Sequence, residues 1–215
     1  MTPKRAAIFD LDGTLVDSML IHTKAWKRVF SESGLSLTDE ELLAQSGRKN
    51  IEFAEQMIVK RGVDNLDYEE IASLKDRAVN DFLSEKRTPF FTGAEELLDL
   101  LKTKNIPLAL ATSATKNTAY LLAGEEGLSY FQVRVFGEDV SRGKPNPEIF
   151  LKAANELGFE PQECIVFEDT LAGVTAAKDG GFFCIAKDNN IGQDLSRADL
   201  IIKDYEPGEL IKLFA

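Results

Sequence analysis

Cysteine and histidine are scarce in this chain, positive charge is outnumbered, and no apolar run is long. The two cysteines, Cys164 and Cys184, sit inside apolar runs and read as reduced core residues, which excludes a disulfide framework. No apolar stretch approaches the roughly 18 residues of a membrane-spanning helix. Near the N-terminus, Lys4 and Arg5 precede an apolar run that soon meets acids, unlike a signal peptide. The expectation is a cytoplasmic protein with no membrane partner. Lysine and arginine number 25 against 36 acidic residues, a net charge of −11. Nucleic acid is thereby excluded, because binding a phosphate backbone needs a basic face. A small phosphorylated metabolite needs only a local cluster of cations and stays open as a partner. The remaining acidity serves solubility, and a monomer is expected.

Hydrophobic residues make up 44% of the 215-residue chain, enough to bury a core without disulfides or structural metal. Such a length suits one large domain or a core plus a smaller insert. Buried-strand character marks "AAIFD" (6–10), "PLALAT" (107–112), "VRVFG" (133–137), "CIVFE" (164–168) and "FFCIAK" (182–187), with a weaker "DLIIK" (199–203). Amphipathic helical segments lie between them, such as 92–105 with Leu97, Leu98 and Leu101 on one face. Strands alternating with helices predict a mainly parallel α/β sheet covered on both faces. Residues 18–88 break this rhythm with helical patterns only. Within them, Thr38 and Glu41 have capping-box spacing. An insert directly after the first strand sits at the end of the sheet where open α/β folds bind ligands, so it is placed to act as a lid.

Asp10 and Asp12 end the first strand, and Glu168 and Asp169 end the fourth. Neighbouring carboxylates share a proton or a cation. Parallel strands deliver their C-terminal ends to one edge, where such oxygens suit Mg²⁺. Thr112 and Ser113, beside backbone N–H groups, offer donors to a phosphate. Lys144, on the loop after the third strand, can neutralise phosphate oxygens and an attacking carboxylate together. Each piece also has a plainer reading. Asp-Gly is a common turn, Glu168–Asp169 could cap a helix starting near Thr170, and a lone lysine is usually solvated. Their co-occurrence at strand ends favours a site.

"DLDGTLVDS", "LALATSAT", "GKPNPEIF" and "VFEDTLAGVTAAKDGG", in that order, resemble the motifs of haloacid dehalogenase-superfamily phosphotransferases with a helical cap after the first strand. The subgroup is similar to phosphoglycolate phosphatases and β-phosphoglucomutases. The resemblance implies a Rossmann-like three-layer core (1–17 and 89–215) and an all-helical cap (18–88), hinged at "GTLVDS" and "KRTPFFTG". It implies that Asp10 is the nucleophile and forms an aspartyl-phosphate, with Asp12 as general acid and then base. Thr112 and Lys144 match phosphate-binding residues. Mg²⁺ would be held by Asp10, the Asp12 backbone carbonyl and Asp169, with Glu168 ligating directly or through water. Because Asp12 is present, dehalogenation is disfavoured.

The cap is expected to set the substrate. Arg48 and Lys49, after Gly47, are candidates to reach over the site and favour a second anionic group. His22 has two readings, a ligand contact or an ordinary helix-surface residue, while Trp26 is expected to pack the cap. Lys75 and Arg77 match a mutase lysine only loosely. A phosphatase is therefore the preferred reading, with a phosphosugar mutase as the alternative. A phosphonate hydrolase using Lys49, and a non-catalytic binding module, are the lesser ones.

Overall fold

The computed structural model describes residues 4–45, 48–63, 66–85 and 88–214. Gly47 of the cap turn, and Lys86 and Arg87 of the second hinge segment, lie outside them. Six parallel strands form one sheet in the order β3-β2-β1-β4-β5-β6. They are β1 (Ala6–Phe9), β2 (Leu108–Ala111), β3 (Val133–Val135), β4 (Cys164–Glu168), β5 (Phe183–Lys187) and β6 (Leu200–Ile202). All six apolar runs read from the sequence are strands. β3 is shorter than expected because Phe136 leads into a 3-10 turn at Gly137–Asp139.

Side chains alternate across the sheet, as strand geometry requires. Ala7 and Phe9 of β1 enter a core shared with Leu97, Leu98 and Leu101 of α5 (Ala94–Thr103). Ala6 and Ile8 enter the opposite core with Ile149, Phe150 and Ala153 of α7 (Glu148–Leu157). Two buried faces explain why these strands read as unbroken apolar runs rather than polar–apolar alternation. This is the Rossmann-like α/β architecture that the motifs implied.

Among the described residues, four helices stand between β1 and α5: α1 (Met19–Glu32), α2 (Asp39–Gln45), α3 (Asn50–Arg61) and α4 (Tyr68–Glu85). The capping box forms, with the Glu41 N–H donating to Thr38 Oγ1 at 3.1 Å and the Thr38 N–H to Glu41 Oε2 at 2.9 Å. Trp26 is fully buried, with its ring 5.7 Å from Phe30 and 4.9 Å from Phe53, so it packs these helices together. The two chain crossings between helices and sheet run side by side. There the Phe91 N–H donates to the Leu15 carbonyl at 2.8 Å, and Val16 and Phe90 form an antiparallel bridge.

Candidate active site

Asp10 leaves the end of β1 with its N–H bonded to the Phe167 carbonyl of β4 at 3.0 Å, which seats its carboxylate at the sheet's C-terminal edge. Lys144 reaches it from the loop before α7. The fully buried ammonium donates to Asp10 Oδ1 at 2.6 Å, to Glu168 Oε1 at 2.6 Å and to the Ala111 carbonyl at 3.2 Å. All three donor sites of the ammonium are thus engaged.

The acids of β4 are held by the start of α8 (Leu171–Asp179). Glu168 Oε2 accepts from the Asp169 N–H at 2.8 Å, the Thr170 N–H at 3.0 Å and Thr170 Oγ1 at 3.1 Å. The helix cap is Thr170, whose Oγ1 accepts from the Gly173 N–H at 3.0 Å, so the acid pair is free of that duty. A Cβ at Gly173 would lie 1.9 Å from the Glu168 carboxyl, which makes glycine a requirement. Asp169 accepts from Thr14 Oγ1 at 3.2 Å and from Asn189 Nδ2 at 3.1 Å. Gly13, at φ +77°, gives the turn after β1, and a Cβ there would meet Asp169 Oδ2 at 2.0 Å.

Ligand oxygens of Asp10, Glu168 and Asp169 lie within 4.8 Å of one another. Burial pushes the Asp10 carboxyl up to about 8, opposed by Lys144 and reinforced by Glu168 and Asp12. Asp169 is raised well above the carboxylate range by burial and then by Glu168 and Asp10. One lysine does not balance three ionised buried acids, so the cluster must take up protons or a cation. Hard oxygen donors with unbalanced charge fit a divalent cation such as Mg²⁺.

Asp12 points elsewhere. Its Oδ1 receives Ser18 Oγ and His22 Nε2, each at 2.6 Å. Burial alone would raise its carboxyl, but the adjacent His22, with its hydrogen bond, and the bond from Ser18 prevail and hold it at about 2. His22 Nδ1 lies 2.8 Å from Lys75 Nζ. An ammonium only donates, so Nδ1 accepts and Nε2–H donates to Asp12. Lys75 is nearly fully buried, 5.7 Å from the Trp26 ring centroid and 3.9 Å from Asp76 Oδ1. The Asp12 carboxylate therefore stands outside the acidic cluster of Asp10, Glu168 and Asp169.

A cavity of about 60 Å³ is bordered by Asp10, Asp12, His22, Arg48, Thr112 and Ser113. At ~10–15 Å³ per water, it has room for a phosphoryl group and little more. Across the Asn50–Asp76 hydrogen bond of 2.7 Å lies a cleft of about 480 Å³ between α3, α4 and the start of α6 (Lys116–Leu128). Lys49 borders the larger cleft and not the small cavity, and its Nζ donates to the Val140 carbonyl at 2.5 Å, tying the loop before α3 to the core. Arg48 does border the cavity, with Nη1 3.3 Å from Gln56 Oε1. Ser18, Asp76 and Asn189 were not singled out from sequence. Ser18 stands inside the first motif, and Asn189 follows a core strand at the sheet edge where the acids lie, without their charge.

A family model for haloacid dehalogenase-like hydrolases matches residues 4–181. The validoxylamine A 7'-phosphate phosphatase of Streptomyces hygroscopicus subsp. limoneus is 34% identical over 202 residues, covering 93% of each chain. The β-phosphoglucomutase of Bacillus subtilis is 31% identical, covering 93% of this chain and 89% of that protein. A crystal structure of β-phosphoglucomutase from Clostridium difficile superposes with a TM-score of 0.87 over 98% of this chain and 96% of that one, at 24% identity, and so shares the fold. On its motifs, its sheet and these matches, the chain belongs to the haloacid dehalogenase-like hydrolase family and is one of that family's enzymes.

Proposed function

We propose that the protein is a Mg²⁺-dependent phosphatase of a small phosphorylated metabolite, a sugar phosphate or similar phosphomonoester, acting through an aspartyl-phosphate. The observation carrying this reading is the Lys144 ammonium bridging Asp10 and Glu168 while the neighbouring Asp12 is turned toward His22. Asp10 is thereby aimed as a nucleophile, and Asp12 is left as a separate acid–base group. The phosphatases among the relatives support it.

Asp10 attacks phosphorus, forming the Asp10–phosphoryl bond as the ester oxygen departs with a proton that Asp12, ionised in the free protein, takes up on substrate binding. Asp12 then takes a proton from water, which attacks the same phosphorus and frees Asp10 with release of phosphate. Thr112 and Lys144 bind phosphoryl oxygens, and Lys144 opposes the effect of burial on the Asp10 carboxyl and orients it. A cation held by Asp10, Asp169, the Asp12 carbonyl and Glu168 would neutralise charge on the transferring group. Residues 18–88 serve as a cap whose closure excludes water from the hydrogen-bonded groups. Ser113, His22 and Arg48 face the substrate.

A second reading, a phosphosugar mutase, is favoured by the β-phosphoglucomutase relative and by the His22–Lys75 brace on Asp12. The chemistry is shared, and only the acceptor differs. Purified protein with Mg²⁺, β-glucose 1-phosphate and trace glucose 1,6-bisphosphate tests this, with glucose 6-phosphate and free phosphate followed separately. Phosphate release supports the phosphatase. Glucose 6-phosphate without phosphate makes it a mutase. If neither forms, the assay passes to a panel of other sugar phosphates, and no phosphate from any of them refutes the phosphatase reading.

A further inference from the structure

Asn189 stands in none of the quoted motifs and has no step in the scheme above, yet it touches two parts of the site. It follows β5 at the edge of the sheet that carries Asp10 and Asp169. Its Nδ2 donates to the Gly13 carbonyl at 2.7 Å and to Asp169 Oδ2 at 3.1 Å, and its Oδ1 accepts from Lys187 Nζ at 2.7 Å. An ammonium has no acceptor, so the amide oxygen must face Lys187 and its nitrogen must face Asp169. Lys187 is itself fixed. It is 5% exposed, donates to the Lys203 carbonyl at 3.3 Å and lies 3.9 Å from the centroid of the Phe91 ring.

We propose that Asn189 is a positioning residue that holds the Asp169 carboxylate and the Gly13 turn in place for the divalent cation, and so sets the protein's Mg²⁺ affinity. The inference rests on the metal reading of Asp10, Glu168 and Asp169. Three buried acids repel one another, and a carboxylate without fixed donors rotates away from its neighbours. Thr14 holds one oxygen of Asp169 and Asn189 the other. An amide suits this place because it donates without adding charge, whereas a lysine in contact with Asp169 would compete with the cation. Lys187 stands one side chain back and locks the amide's orientation.

The test is calorimetric titration of Mg²⁺ into the metal-free, full-length protein without substrate, for wild type, Asn189→Ala, Lys187→Met and Asn190→Gly. Partners of metal ligands are worth about 10–100-fold in affinity. Asn189→Ala is expected to weaken Mg²⁺ binding by that factor, Lys187→Met to weaken it less, and Asn190→Gly to leave it unchanged. In phosphate-release assays Asn189→Ala should regain most of the wild-type kcat as Mg²⁺ is raised, which a merely structural role would not allow. Wild-type Mg²⁺ affinity in Asn189→Ala, or a kcat loss that Mg²⁺ does not relieve, overturns the positioning role alone. Absence of Mg²⁺ binding by the wild type overturns the metal reading and this inference with it. Should Asn189→Ala fail to fold, Lys187→Met decides, and unchanged affinity there overturns the role.

Discussion

Replacing Lys144 by methionine removes one charge and keeps most of the side chain's volume, so the cavity contribution is small. The ammonium is fully buried and bonded at 2.6 Å to both Asp10 and Glu168. Taking away the cation of a buried ion pair costs about 3–5 kcal/mol, because the carboxylates are left uncompensated. For a chain of this size, ~2–4 °C per kcal/mol makes that roughly 6–20 °C of melting temperature at pH 8 in EDTA. Lower pH should shrink the deficit. Asp10 and Asp169 are already raised by burial and by one another, and protonating them removes the charge that Lys144 neutralised. Thermal melts of wild type and Lys144→Met at pH 8 and pH 5.5 read this directly. Equal midpoints at pH 8, or the same deficit at both values, would refute the electrostatic account of Lys144.

In the metal-free wild type, the raised carboxyls of Asp10 and Asp169 mean that the folded state binds more protons than the unfolded state from pH ~4 to about 8. Stability therefore falls as pH rises through that window. Melts in EDTA should show a higher midpoint at pH 5.5 than at pH 8, with Mg²⁺ stabilising most at pH 8, and a flat profile would contradict this. Gly173→Ala should lower kcat by about 100-fold through displacement of Glu168, because its Cβ would lie 1.9 Å from that carboxyl. Wild-type turnover in Gly173→Ala would show that the close approach is unimportant. The Asp76 carboxylate borders both the small cavity and the larger cleft and repels a second anionic group there. Asp76→Asn should raise kcat/KM for a sugar bisphosphate relative to its monophosphate about fivefold, the ratio for ~1 kcal/mol of screened repulsion. An unchanged ratio counts against that role.

The strands were legible because burial on both faces leaves an unbroken apolar run, and the Thr38–Glu41 box because it is local. The convergence of Asp10, Thr112, Lys144, Glu168 and Asp169 followed from parallel strands, whose C-terminal ends share one edge. Direction of side chains across α1–α4 and their connecting loops was not legible. Lys49 and Arg48 are neighbours in sequence, yet one turns to Val140 of the core and the other to the cavity. The meeting of His22 with Lys75 joins α1 to α4, and its only sequence trace was a loose motif match. Asn189 was overlooked because a single amide after a strand carries no charge pattern.

The central claim is that Asp10 takes up the phosphoryl group. Rapid acid quench of wild type with ³²P-labelled substrate, followed by peptide mapping, tests it most directly. The account predicts acid-stable label on the peptide containing Asp10, formed before phosphate is released and absent from Asp10→Asn, which should lose turnover while still binding Mg²⁺. Label on another residue, or substantial turnover by Asp10→Asn, would contradict it.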